Sequence, residues 1–215
     1  MASSHDLVLT TVPGGNALSS LRAAALLTRL TRVAPRLTGL SARHVHWVAS
    51  EVDLDDTTRA TVQRLLTYGT PYAGDAQGSH LATVVVAPRP GTLSPWASKA
   101  TDIAHNCGVD VRRVERVTEY LLAGDVPLTE EQWGAAADLL HDRMTEAALP
   151  TRAGAAALFD EREAEPMEPV DVLGRGRTAI EEADTAYGLA LSDDEVDYLV
   201  EAFTGLDRNP TDVEL

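Results

Sequence analysis

Leu81-Ala82-Thr83-Val84-Val85-Val86-Ala87 is a run of small, aliphatic and β-branched side chains without a single charge. An apolar run this short, rich in residues that lose side-chain freedom in a helix, predicts a buried strand. Gly78 and Pro88 bound it. Upstream, Leu7–Val12 predicts a shorter strand ended by Pro13-Gly14-Gly15. Asn16 then serves as the expected N-cap of a helix with Ala23, Leu26, Leu27, Leu30 and Val33 along one side. His44–Val48 is strand-like, and Asp55 opens a helix that carries Val62, Leu65 and Leu66 until Gly69 stops it. Downstream, Glu115–Leu122 predicts another strand. Thr129-Glu130-Glu131-Gln132 matches a capping box stapled by Leu128 and Trp133, and Ala136, Ala137 and Leu140 continue its apolar face. These faces need partners, so strands and helices are expected to share one α+β layered core.

From Pro150 to Pro169 the periodicity fades, and a connector is expected, with a short helix around Gly154–Phe159. Beyond it the pattern is wholly helical. Leu173, Gly176, Ile180, Ala183 and Tyr187 predict one continuous apolar stripe. Ser192-Asp193-Asp194-Glu195 is a second capping box, stapled by Leu191 and Val196. Val196, Leu199, Val200 and Phe203 form the next face, which Gly205 is expected to end. Asn209-Pro210-Thr211-Asp212 looks like a helix start, with an N-cap followed by Pro at the first position. Leu215 follows at once, so the sequence is expected to stop inside an element, as a truncated or split protein would.

Charge divides the chain at the same place. Residues 1–159 hold 16 acids and 14 bases, whereas residues 160–215 hold 17 acids and four bases. Two units meeting near residue 160 are expected, and the net charge of −15 argues against nucleic acid or an anionic membrane as partner. No apolar run approaches the roughly 18 residues of a membrane span. The opening Met1–Asp6 lacks the charged and apolar parts of a secretion signal. One cysteine, Cys107, gives no disulfide framework within the chain, so a cytoplasmic location is expected.

The chemistry-bearing stretch is Pro88–Gly108, PRPGTLSPWASKATDIAHNCG. Its prolines and glycine stiffen a polar segment that holds Arg89, Thr92, Ser94, Trp96, Ser98, Lys99, Thr101 and Asp102. A rigid segment with cations, hydroxyls and an aromatic suits an anionic ligand or a partner surface. The plainer reading is an ordered connection whose hydroxyls cap the helix after it. Three other groups carry less weight. His105-Asn106-Cys107 are neighbours in sequence, which rarely gives nucleophile–base geometry. His44 and His46 share one strand face without further metal ligands, and packing histidines are the simpler account. Gly174-Arg175-Gly176-Arg177 lacks the preceding strand and spacing of a phosphate loop. The acids around Glu181-Glu182 and Asp193–Asp197 read as a solvated face, or else as a surface for a basic partner domain. No catalytic residue and no metal site are expected in this chain.

The run Pro88–Ala104 closely resembles a segment of the large, single-chain phosphoribosylformylglycinamidine synthases, departing only at Leu93 and Ala97. Leu65-Leu66-Thr67-Tyr68-Gly69, Leu140-His141-Asp142-Arg143-Met144 and Leu173-Gly174-Arg175-Gly176-Arg177 resemble the same family in the same order. So do Gly188–Leu191, Asp197-Tyr198-Leu199 and Arg208-Asn209-Pro210. The resemblance implies a PurS-like N-terminal domain (residues 1–150) with an antiparallel sheet and packed helices, similar to a pair of the family's small accessory subunits. A connector (151–169) and a small helical linker domain (170–215) follow. It further implies synthetase and glutaminase domains as partners, and a full enzyme that uses ATP, magnesium and glutamine-derived ammonia to make formylglycinamidine ribonucleotide. The family's active-site histidine, its ATP and magnesium sites and its glutaminase residues lie in later segments. The chain by itself is therefore expected to be non-catalytic, with the Arg89–Asp102 segment completing a substrate site or an interface. A stand-alone binding or regulatory protein derived from the synthase is the alternative; an independent enzyme would need Cys107 or the histidines to be catalytic.

Overall fold

A computed structural model describes residues 7–74, 81–160 and 166–215. The expectations for Met1–Asp6, the Gly78 boundary and residues 161–165 of the connector lie outside the described residues. The chain divides into two compact units, Met1–Asp160 and Glu161–Leu215.

The first unit is α+β. Strands β1 (Val8–Asn16), β2 (Leu37–Ser50), β3 (Ala82–Pro88), β4 (Arg113–Gly124) and β5 (Glu146–Leu149) form one sheet in the order β1-β2-β4-β3-β5, and every neighbouring pair is antiparallel. Side chains alternate across it between the two faces. Val48 of β2, Val84 and Val86 of β3, and Val114 and Leu122 of β4 face the helices. These are α1 (Ser20–Val33) with α4 (Glu130–Leu140), and α2 (Asp56–Leu65) with α3 (Pro95–Asn106). Val45, Trp47, Ala49, Val85, Ala87 and Val117 face the other way, onto a 3-10 helix at Arg152–Phe159 that inserts Ala155, Leu158 and Phe159. Part of the expected connector is thus core of the first unit.

Two local readings are corrected in the first unit. Asn16 does not cap α1: it ends β1, where its backbone N–H bonds Thr70 O at 2.7 Å and its amide bonds Leu18 O at 2.8 Å. Ser19 caps the helix instead, its Oγ accepting from Arg22 N. Pro13-Gly14-Gly15 does not end β1 either. An edge strand has an unpaired side on which Pro loses no ladder bond, and here Pro13 pairs with Val45 before the register shifts. Both glycines are required for closeness. A Cβ at Gly14 would lie 2.6 Å from the His46 ring, and one at Gly15 would lie 2.7 Å from Thr70 O.

In the second unit, Gly176 takes φ +55° and breaks the expected stripe. The helix becomes α5 (Val172–Arg175) and α6 (Arg177–Tyr187), and Leu173 and Tyr187 of that stripe are exposed. Ile180, Ala179 and Ala183 pack with Val196 and Phe203 of α7 (Asp193–Gly205). Asn209-Pro210 does not start the terminal helix. Asn209 Oδ1 accepts from Leu173 N at 2.8 Å, the buried Pro210 carbonyl accepts from Val170 N, and Thr211 caps a 3-10 turn at Asp212–Glu214. No described helix is long and apolar enough to cross a membrane.

Candidate functional site

Pro88–Gly108 is not one polar loop. Ser94 stops the loop by accepting from Ala97 N at 3.0 Å, and Pro95 at the first helical position, with its fixed φ, starts α3. The stretch is half turn and half helix. Thr92 closes the turn on Arg89 O, through its hydroxyl at 2.6 Å and its N–H at 3.1 Å. Ser98 Oγ donates back to Ser94 O at 3.4 Å. Thr101 Oγ1 donates to Ala97 O at 2.8 Å and accepts from Val114 N at 3.0 Å, tying α3 to β4. The four hydroxyls therefore shape the segment, as the plainer reading expects. Arg89, Ser98, Lys99 and Asp102 are exposed, while Ala97 and Ala104 bury the opposite side of α3.

Trp96 is the pivot of the segment. Its indole stacks on His46 of β2, with ring centroids 5.5 Å apart and planes 24° apart, and the Arg116 guanidinium of β4 lies 4.5 Å from its centroid. His46 Nε2 shares a 2.8 Å hydrogen bond with the Tyr68 hydroxyl, which also accepts from Arg116 Nη1 at 3.2 Å. Four residues from β2, α3, β4 and the Tyr68 loop thus meet at one point. His46 is fully buried, and burial, with His44 and Arg116 beside it, lowers its pKa to about 4. Burial and Arg116 lower that of His44 to about 4 as well. Both imidazoles are neutral at pH 7, packing groups rather than cations.

Trp96 also separates two cavities of about 260 Å³ each. One is apolar, between α2 and α3, and Lys99 is at its wall with Leu65, Leu66, Tyr68 and Ile103. The other is polar, lined by Ser94, Arg116, Thr118, Thr145 and Glu146. Arg89 lines neither, so the two cations singled out in the sequence do not converge. The sequence reading missed Arg116, Tyr68 and Glu146 as site residues. For Arg116 the signal was present: an arginine at an alternate position of a strand otherwise facing the core.

The remaining candidates resolve as structure. His105 Nε2 bonds Val111 O at 2.7 Å and Cys107 is an exposed helix end. Gly174 N is capped by Asp171 Oδ1 at 3.0 Å, and Arg175 pairs with Glu182 at 2.5 Å. Arg177 gathers Glu181, Asp193 and Asp197, so part of the acidic surface is internally paired. Among the described residues no three of His, Cys, Asp and Glu converge as metal ligands do.

Family models match both units. Residues 43–159, which include every residue of the Trp96 cluster, match the N-terminal domain of formylglycinamide ribonucleotide amidotransferase. Residues 180–215 match the linker domain of the same enzyme. The chain belongs to the formylglycinamide ribonucleotide amidotransferase family of purine biosynthesis, also called phosphoribosylformylglycinamidine synthase, and carries its N-terminal and linker domains.

Proposed function

We propose that this chain is the non-catalytic N-terminal and linker portion of the synthase and works when joined to, or bound by, synthetase and glutaminase domains. The complete assembly would convert formylglycinamide ribonucleotide to its amidine with ATP and glutamine-derived ammonia in the cytoplasm. ATP and magnesium belong, in this reading, to the domains that the chain would join. The observation that supports it is the outward display of the Arg89–Asp102 segment. Its hydroxyls and alanines build the turn and the helix, while Arg89, Lys99 and Asp102 face solvent on a rigid support. Charged groups held outward on an anchored turn and helix suit a partner surface or the edge of a shared site better than an enclosed centre.

Replacing Arg89 by Ala in the complete assembly is the test. A bidentate cation lost from a substrate or interface contact is expected to lower amidine formation about tenfold or more. Unchanged turnover and unchanged affinity for the ribonucleotide would remove Arg89 from the proposal.

A further inference from the structure

Three arginines at the first unit's sheet meet carboxylates: Arg43 and Arg152 meet Glu119, and Arg113 lies 3.4 Å from Glu115. Arg116 does not. It stands on β4, the central strand, directly across from His46 and two pairs away from the His44–Thr118 pair. Trp96 supports the face of its guanidinium and Tyr68 takes one N–H, yet neither carries a negative charge. Among the described residues no carboxylate lies within ion-pair distance of it, in a chain with 33 acids. A guanidinium has five donors in a fixed fork, so one bond to a phenol leaves most of its capacity unused.

The polar cavity beside Trp96 is where that capacity is directed. Ser94 Oγ accepts from Ala97 N, which leaves its hydroxyl hydrogen for a ligand. Thr118 and Thr145 add hydroxyls, and the apolar side of the cavity is Val86, Ala87 and Pro88. Glu146 is the one negative group on its wall, and its Oε2 is engaged by Asp142 N at 2.8 Å. Converging donors on a half-enclosed, partly apolar pocket are the ordinary composition of a small-ligand site. We propose that this cavity binds a small oxyanion, of the carboxylate or phosphate class, with Arg116 as its cation and the Ser94 and Thr118 hydroxyls as further donors. Glu146 limits how much negative charge the site accepts. The proposal does not depend on the chain's joining a synthetase, since the site lies wholly within the first unit.

The test is calorimetric titration of the full chain with acetate and, separately, with inorganic phosphate, at constant ionic strength with chloride as the control. Saturable binding of either anion is expected, and the preferred one identifies the ligand class. Arg116→Gln is expected to weaken that binding about tenfold or more, and Arg116→Lys, which keeps the charge but loses the fork and the stack on Trp96, is expected to weaken it less than Arg116→Gln does. Glu146→Gln keeps the acceptor for Asp142 N but removes the like charge, and is expected to tighten binding several-fold. The last variant matters because damage to the fold weakens binding and does not strengthen it. Neither anion binding above the chloride control, or binding indifferent to both Arg116→Gln and Glu146→Gln, would overturn the proposal.

Discussion

Replacing Glu119 by Ala is expected to destabilise the first unit by about 3 kcal/mol. Glu119 sits on the face of β4 opposite the helices and is 4% exposed. Arg43, its cross-strand neighbour on β2, donates Nε to Oε2 at 2.6 Å. Arg152, from the 3-10 helix, donates Nε to Oε1 at 3.1 Å and Nη2 to Oε1 and Oε2 at 2.9 and 2.8 Å. Burial pushes the carboxyl pKa up, but the bonds from Arg152 and Arg43 outweigh it and hold the pKa below the ordinary range. Removing the acid leaves two guanidinium groups facing each other without a counter-charge. Arg152 keeps 36% of its side chain exposed and can relax toward water, so the expected cost is at the lower end of the 3–5 kcal/mol typical of broken buried pairs. The corresponding fall in melting temperature is about 6–12 °C for a unit of this size. Chemical denaturation of the full chain checks it. A loss below about 1 kcal/mol would mean that the pair behaves as a surface bridge.

Acidification is expected to destabilise the same unit through His46. Its pKa is about 4 in the folded chain against about 6.5 when unfolded, because the ring is buried under Trp96 with Arg116 across the ladder. Below pH 6.5 the unfolded state binds a proton that the folded state refuses. Stability contributed by neutral His46 is therefore present above pH 6.5 and is lost as pH falls toward 4. At 1.36 kcal/mol per unit, the loss approaches about 3 kcal/mol near pH 4 and about 2 kcal/mol at pH 5. Glu115 titrates in the opposite sense, since burial raises its pKa against the pull of Arg113. The informative quantity is thus the difference between the chain and its His46→Gln variant. The stability lost between pH 7.5 and 5 should be about 2 kcal/mol smaller in the latter, which keeps the like contribution of His44. Equal pH dependence in both would place the sensitivity elsewhere.

What the sequence disclosed was what local chemistry decides. Asp55 caps α2, Thr129 and Gln132 box the start of α4, and Ser192 and Glu195 box that of α7, each within four residues. The Leu81–Ala87 run and the Glu115–Leu122 run are strands because their residues pack on both sheet faces. Features decided by distant partners were not legible. Strand β5 has four residues and exists through its pairing with β3. β1 continues through Pro13–Gly15 because it is an edge strand against His46 and the Tyr68 loop, and Asn209 serves a helix 36 residues earlier. The same holds for the site. Nothing local tells that Arg116 meets Trp96 while Arg43 meets Glu119; strand register and the seating of α3 determine both. The hydroxyls of Thr92, Ser94 and Thr101 were legible in the sequence as ligands or as caps, and their contacts in the fold hold the turn, cap the helix and bind β4.

The most direct test of the synthase reading is to mix this chain with a separately produced synthetase-plus-glutaminase polypeptide and to assay ATP- and glutamine-dependent amidine formation. Activity that arises only in the mixture is the predicted result. A folded synthetase-plus-glutaminase polypeptide that stays inactive with the chain present, or is fully active without it, would contradict that reading.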